Sequence, residues 1–141
     1  MLKDGLKLTG KLTIAINGNP VQEIPNLVVT DGKGYVASRM KDASTSVMSH
    51  MAIGTGTTAA AAGNSALGSE AGRVALTSTT VSSNAVAYVA TFPAGTGTGA
   101  ITEAGILNAS SSGTLLCRTV FSVVNKGSAD AMTITWTVTV S

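Results

Sequence analysis

The side chains in this sequence that could do chemistry are few. They are His50, Cys117, the carboxylates Glu70 and Glu103, and the arginines Arg73 and Arg118. A lone histidine and one distant cysteine do not build a zinc centre, which needs several nitrogen and sulfur ligands. A Ser-His-acid triad is arithmetically open in a serine-rich chain. The Gly-x-Ser-x-Gly elbow is absent, however, and Gly68-Ser69-Glu70 lacks the second glycine where the motif requires it. Glu70 and Glu103 offer the two carboxyls of a glycosidase, which must sit at a set separation across a sugar. Glycosidase clefts also want aromatic platforms, and the chain has only 1 Trp, 2 Tyr and 2 Phe. Gly32-Lys33-Gly34 lacks the full phosphate-loop spacing, and Asn108-Ala109-Ser110 is a glycosylation sequon only on a eukaryotic secretory route.

The residues therefore predict no catalytic group, no metal ligand, no cofactor and no enzyme. Glu70, Arg73, Glu103 and Arg118 are expected to be ion-paired, within the protomer or across a subunit contact. Charges in apolar surroundings are usually paired and hydrogen-bonded. Glu70 with Arg73 is the local pair; Glu103 with Arg118 would join adjacent strands. Cys117 lies in the apolar run Leu115 to Val124, where a buried, inert thiol is expected. A single cysteine also excludes an internal disulfide.

Composition narrows the class. Charged residues make up 11% of the 141, against about 25% in ordinary globular proteins. Mean hydropathy is positive at +0.34. So little charge predicts a surface covered in part by other protein. Residues 1–42 hold six basic side chains (Lys3, Lys7, Lys11, Lys33, Arg39, Lys41) and four acidic ones (Asp4, Glu23, Asp31, Asp42). The rest of the chain holds three of each sign, so the N-terminal segment is expected to face water most. A net charge of +2 without a basic cluster gives no reason to expect nucleic acid. No apolar run reaches the length of a membrane span, and residues 1–16 lack a signal-peptide core.

The elements that must position these side chains read as β. Leu12, Ile14 and Ile16 alternate with polar or small residues over 11–17, and Asn17-Gly18 is a strong hairpin turn. A short return strand over 21–24 is expected to end at Pro25, with another short segment over 26–30. Thr30 or Asp31 is expected to cap a helix over residues 31–41, weakened by Gly32 and Gly34. Strands follow over 47–54, 74–80, 84–92, 100–108, 114–125 and 131–140. The last is the clearest: Met132, Ile134, Trp136, Val138 and Val140 alternate with threonines, which predicts Trp136 as the core anchor. One domain over 1–141 is expected, with 1–25 as a hairpin or arm. The fold expected is an all-β antiparallel sandwich of about eight strands, jelly-roll or immunoglobulin-like.

The longest stretch without a pattern is Ile53 to Arg73, rich in Gly, Ala, Ser and Thr. Loops of this length in compact domains are usually functional or disordered. An ordered crossover between two strands is expected, with Ala59 to Ala62 able to add a helical turn.

Several short motifs carry a resemblance. They are Leu27-Val28-Val29-Thr30-x-Gly32-Lys33 before Val36-Ala37-Ser38-Arg39, and Met51-Ala52-Ile53-Gly54-Thr55-Gly56 before Leu67-Gly68-Ser69-Glu70 and Arg73. Ile101-Thr102-Glu103-Ala104-Gly105-Ile106-Leu107-Asn108, Leu115-Leu116-Cys117-Arg118-Thr119-Val120-Phe121 and Thr133-Ile134-Thr135-Trp136 complete the set. In this order they resemble a widespread group of small structural proteins of tailed bacteriophages, labelled as tail-fibre or as minor or accessory capsid proteins. The resemblance implies a virion structural protein, assembled in the bacterial cytoplasm, with no catalytic residues to carry over. Its expected partners are the major capsid protein or other virion proteins. A capsid decoration (cement) protein is the leading expectation, with the N-terminal segment or the 53–73 loop as its clamp. Alternatives are a tail, neck or fibre component, a host-glycan-binding adsorption module and, last, a depolymerase. Closed symmetry is the default for such subunits, and a trimer is expected.

Overall fold

The computed structural model describes residues 5–41 and 45–141. Lys3, Asp4 and Asp42, counted above among the water-facing charges, lie outside the described residues. The elements are β1 (Leu8–Ile16), β2 (Asn19–Val28), α1 (Thr30–Lys41), β3 (His50–Gly54), β4 (Glu70–Ala75), β5 (Ser78–Ser82), β6 (Ala85–Phe92), β7 (Gly99–Leu107), β8 (Leu115–Lys126) and β9 (Met132–Val140). The nine strands pair antiparallel in one curled sheet, in the order β4-β3-β7-β8-β2-β1-β9-β6-β5. The fold is all-β and sandwich-like.

Strand β2 explains the curl. Its residues 19–26 pair with β1, from Ile16↔Asn19 to Gly10↔Asn26. Leu27 and Val28 then pair with Arg118 and Cys117 of β8. One strand thus belongs to both halves, and the halves face each other across a shared core. From one side come Leu12, Ile14, Phe92, Ile134 and Trp136; from the other come Met51, Ile53, Ile106 and Cys117. Trp136 is 0% exposed and sits between Leu12 of β1 and Tyr88 of β6. Its indole N–H has no hydrogen-bond partner among the described residues.

Several elements differ from the sequence expectation. The return strand does not end at Pro25 but runs through it to Val28. Lys7 and Ser141 exchange both main-chain hydrogen bonds, so odd-numbered residues of β1 bond toward β9. Lys11↔Pro25 is therefore a pair without ladder hydrogen bonds, and the missing proline N–H costs nothing there. The expected strand 74–80 is two strands, because the chain changes halves at Leu76 and Thr77, whose N–H groups bond Ser49 and Val89 carbonyls. The strand expected to start at residue 47 starts at His50. Strand β4 begins at Glu70 rather than 74, because Glu70 and Gly72 pair with Gly54 and Ile53. The long loop is accordingly 55–69, and Ala59 to Ala62 form no helix in it.

The helix falls where its sequence places it, but neither Thr30 nor Asp31 caps it. Lys33 N–H donates to the carbonyl of Val29, which puts the helix boundary at that buried residue. The Thr30 N–H is satisfied from outside the helix, by the carbonyl of Ala62 in the long loop at 2.8 Å. Gly32, which counts against a helix in the sequence, is where α1 touches β8. A Cβ there would collide with the Leu116 carbonyl. Around Gly34 the space is open.

These two glycines make a paired test. Gly32→Ala should lower the urea midpoint, because the collision is with backbone. Gly34→Ala should raise stability by about 0.5–1 kcal/mol through helix propensity and a less free unfolded chain.

Candidate functional site

Strands β3 and β7, and β8 over Leu115 to Thr119, bury both faces. Residues Ile101 to Leu107 of β7 are buried without alternation. The inner face meets the shared core. The outer face carries a second, smaller cluster of Val29, Ala52, Leu67, Leu107 and Leu115, and loop 55–69 contributes Leu67 to it. Leu67 fits because Gly105 lies beneath it; a Cβ on Gly105 would come within 2.7 Å of Leu67 Cδ1.

At the centre of this covered face stands Glu103 of β7, 0% exposed, beside Arg118 of β8, 2% exposed. Arg118 Nη2 is 2.9 Å from Glu103 Oε1, and Nε donates to the same oxygen at 3.1 Å. The loop supplies the remaining donors. Gly56 and Ser69 N–H donate to Glu103 Oε2 and Gly68 N–H to Oε1, each at 2.7 Å. Arg118 spends its other donors on the loop as well, on the Thr58 carbonyl and on Asn64 Oδ1, both at 3.0 Å. Thr102 of β7 adds a hydroxyl bond to the Gly56 carbonyl at 2.8 Å. The loop ends are tied together by Thr55 N–H on the Ser69 carbonyl. The result is an Ω-shaped loop strapped across a sheet face by one buried ion pair.

Glycine is required at two positions where the strap begins. A Cβ at Gly54 would strike the Ser69 carbonyl, and one at Gly56 would strike the Glu103 carboxylate. The electrostatics follow from the same contacts. Burial pushes the Glu103 pKa up. The N–H groups of Ser69 and Gly68, the Arg118 guanidinium and the N–H of Gly56 outweigh it and hold the pKa below its ordinary value.

The other charges also tie loops. Arg73 grips Glu70 through Nε and Nη2, at 2.9 and 2.7 Å, and gives Nη1 to the carbonyls of Ala109 and Ser112. That fastens β4 to the β7–β8 loop. Asn108 of the sequon serves there too, donating to the Ser46 carbonyl and accepting from Thr114 N–H. At the opposite end of β8, Lys126 is 1% exposed and donates Nζ to the carbonyls of Pro93 and Asp130, at 2.9 and 2.8 Å. Burial pulls its pKa down, against the Asp130 charge. Asp130 in turn accepts from Asn17 Nδ2 and Gly127 N–H, which hold its own pKa low.

His50 is half-buried with Nδ1 2.8 Å from its neighbour Ser49 Oγ. Among the described residues no hydrogen bond joins His50 to a carboxylate. The Cys117 thiol is fully buried, and burial pushes its pKa up. Trp136 lies in the shared core, away from the strap.

The structure thus places Glu103 with Arg118 and Glu70 with Arg73, and keeps the two glutamates on separate tasks. Sequence reasoning missed the main-chain donors of Gly56, Gly68 and Ser69, and missed Asn64 and Lys126. The glycines bracketing the loop were the visible signal. No protein-family model, curated protein or solved structure matches this chain.

Glu103→Ala would leave the guanidinium buried without its counter-charge and should cost about 3–5 kcal/mol in urea denaturation at neutral pH. Glu103→Gln separates the charge from the contacts. The carboxylate's folded pKa lies below its ordinary value of 4.5. Its contribution is therefore present above that pH and lost as pH falls through the folded pKa. Wild type should lose stability more steeply than Glu103→Gln below that value; equal slopes would mean that Glu103 is not a buried anion.

Proposed function

We propose that this chain is a non-enzymatic structural protein of a tailed-bacteriophage virion. Within that role we assign it to decoration of the capsid shell, as a homo-oligomer, with a trimer the expected size. The observation that carries the reading is the strap. The buried ion pair Glu103–Arg118 of the charge-poor half is spent inside the fold, where it holds a long Gly/Ala/Ser/Thr loop against a sheet. A loop held this way presents main chain and small side chains in a fixed shape. Pre-organisation of that kind lowers the ordering cost of a lattice contact. A subunit that binds only the assembled shell then stabilises it by mass action.

The resemblance of the ordered short motifs to small phage structural proteins supports the same reading. So does the use of the available carboxylates. Glu103 already accepts from five N–H groups, and Glu70 is held bidentately by Arg73. Neither carboxylate is presented for acid–base work.

The test is the copy number of the chain in purified virions of the phage that encodes it, by quantitative mass spectrometry against the major capsid protein. A ratio near unity, or a simple fraction of it set by the icosahedral lattice, is expected. A ratio of a few per cent would move the protein to the neck, tail or fibres. Absence from the particle would overturn the virion reading altogether. Sedimentation equilibrium of the isolated protein should give a trimer.

A further inference from the structure

Where β2 leaves β1 to join β8, it uncovers an edge. The β1–β2 ladder stops at Gly10↔Asn26, while β1 continues back along β9 through Leu8↔Val140 to the Lys7–Ser141 bonds. Odd-numbered residues of β1 bond toward β9, so the N–H and C=O groups of Leu6 and Leu8 point the other way, to the side that β2 has vacated. Among the described residues nothing pairs with them there. Helix α1 forms the opposite wall. Lys33, Val36, Ala37 and Met40, spaced to share one helix face, line a groove of about 410 Å³ together with Leu6 and Leu8. Its apolar side chains are open to water: Leu6 is 74% and Met40 78% exposed.

We propose that this groove binds an extended acidic peptide segment of a partner protein, added as a strand to the free edge of β1 beside α1. The main-chain groups of Leu6 and Leu8 would supply the ladder hydrogen bonds, and the apolar floor would take alternate side chains. Met40 is the adaptable wall residue such grooves use. Charge selects the acidic class. Lys7 and Lys33 both line the groove, and among the described residues neither is in an ion pair, whereas Lys11 nearby is matched by Glu23 at 3.4 Å. The groove lies apart from the strapped loop and is defined by its own walls, whether or not the chain belongs to a virion.

The probe is a synthetic peptide of about eight residues alternating valine and glutamate, a typical strand length, with a valine–lysine peptide as control. The readout is amide hydrogen exchange by NMR on the full chain. Binding should slow exchange at Leu6 and Leu8 about tenfold at saturation. Leu6→Pro, placed ahead of β1, removes one groove-facing donor and should weaken binding while the rest of the spectrum stays native. The double variant Lys7→Glu with Lys33→Glu should reverse the preference to the valine–lysine peptide. Unchanged exchange at Leu6 and Leu8, or equal binding of both peptides by wild type, would overturn the proposal. So would protection in the free protein that disappears on removing residues 1–4, since the chain would then fill its own groove. Protection that grows with protein concentration alone would assign the edge to a second copy and overturn it too.

Discussion

A carboxylate with no access to water stands beneath the long loop of this molecule. Glu103 is placed on the outer face of a sheet, where a charged side chain would ordinarily point to solvent. Covering it carries a large desolvation penalty. The structure offsets that penalty with a guanidinium and three main-chain donors. Those donors belong to a loop that has no regular hydrogen bonding of its own. Each side solves the other's problem: the anion satisfies orphan N–H groups, and the loop satisfies the anion. Much else depends on this exchange. The small cluster around Leu67 exists because the loop lies down. The Thr30 N–H at the start of α1 is satisfied because Ala62 is held within reach.

The same device recurs where charge is scarce. Arg73 gathers the β7–β8 loop through two carbonyls, and Lys126 gathers two turns at the other end of β8 through two more. In each case a buried or half-buried cation finds main-chain oxygens that no ladder uses. The described charges up to the end of α1, among them Lys7, Lys11, Glu23, Lys33 and Arg39, are exposed to water. After α1 the chain uses Arg73, Arg118 and Lys126 to order long connections between strands, which leaves the surface of those connections mostly to small neutral side chains. That surface suits flat packing against other protein, the property on which the proposed role rests.

Strand β2 contributes the other constraint. By pairing first with β1 and then with β8 it lets one sheet curl over a single core. The same departure leaves the start of β1 with an edge that no described residue pairs, and α1 follows β2 directly, so the helix lands beside that edge. Closing the sandwich and opening the groove are two consequences of one strand changing neighbours.

The patterns that survive in the sequence are those written locally. The alternation from Met132 to Val140, the Asn17-Gly18 turn with φ of 50° and 83°, and the extent of α1 follow from period and turn chemistry. So does the all-β class. In β7 and β8 the alternation is lost over long runs, yet both strands show in the sequence as apolar segments, expected over 100–108 and 114–125 and found at Gly99–Leu107 and Leu115–Lys126. In β4 the small residues before Val74 carry no period, so the start of that strand does not show in the sequence. Glu103 and Arg118 were legible as a pair, since isolated charges among apolar residues need partners. That the pair would lie under the loop, and that Gly56, Gly68 and Ser69 would complete it, was not. Main-chain N–H groups are the same at every position, and only the folded path of the chain brings three of them to one carboxylate. Residue types determined which groups needed partners; tertiary structure decided where those partners came from, because the contacts of the strap alone join residues up to 60 positions apart.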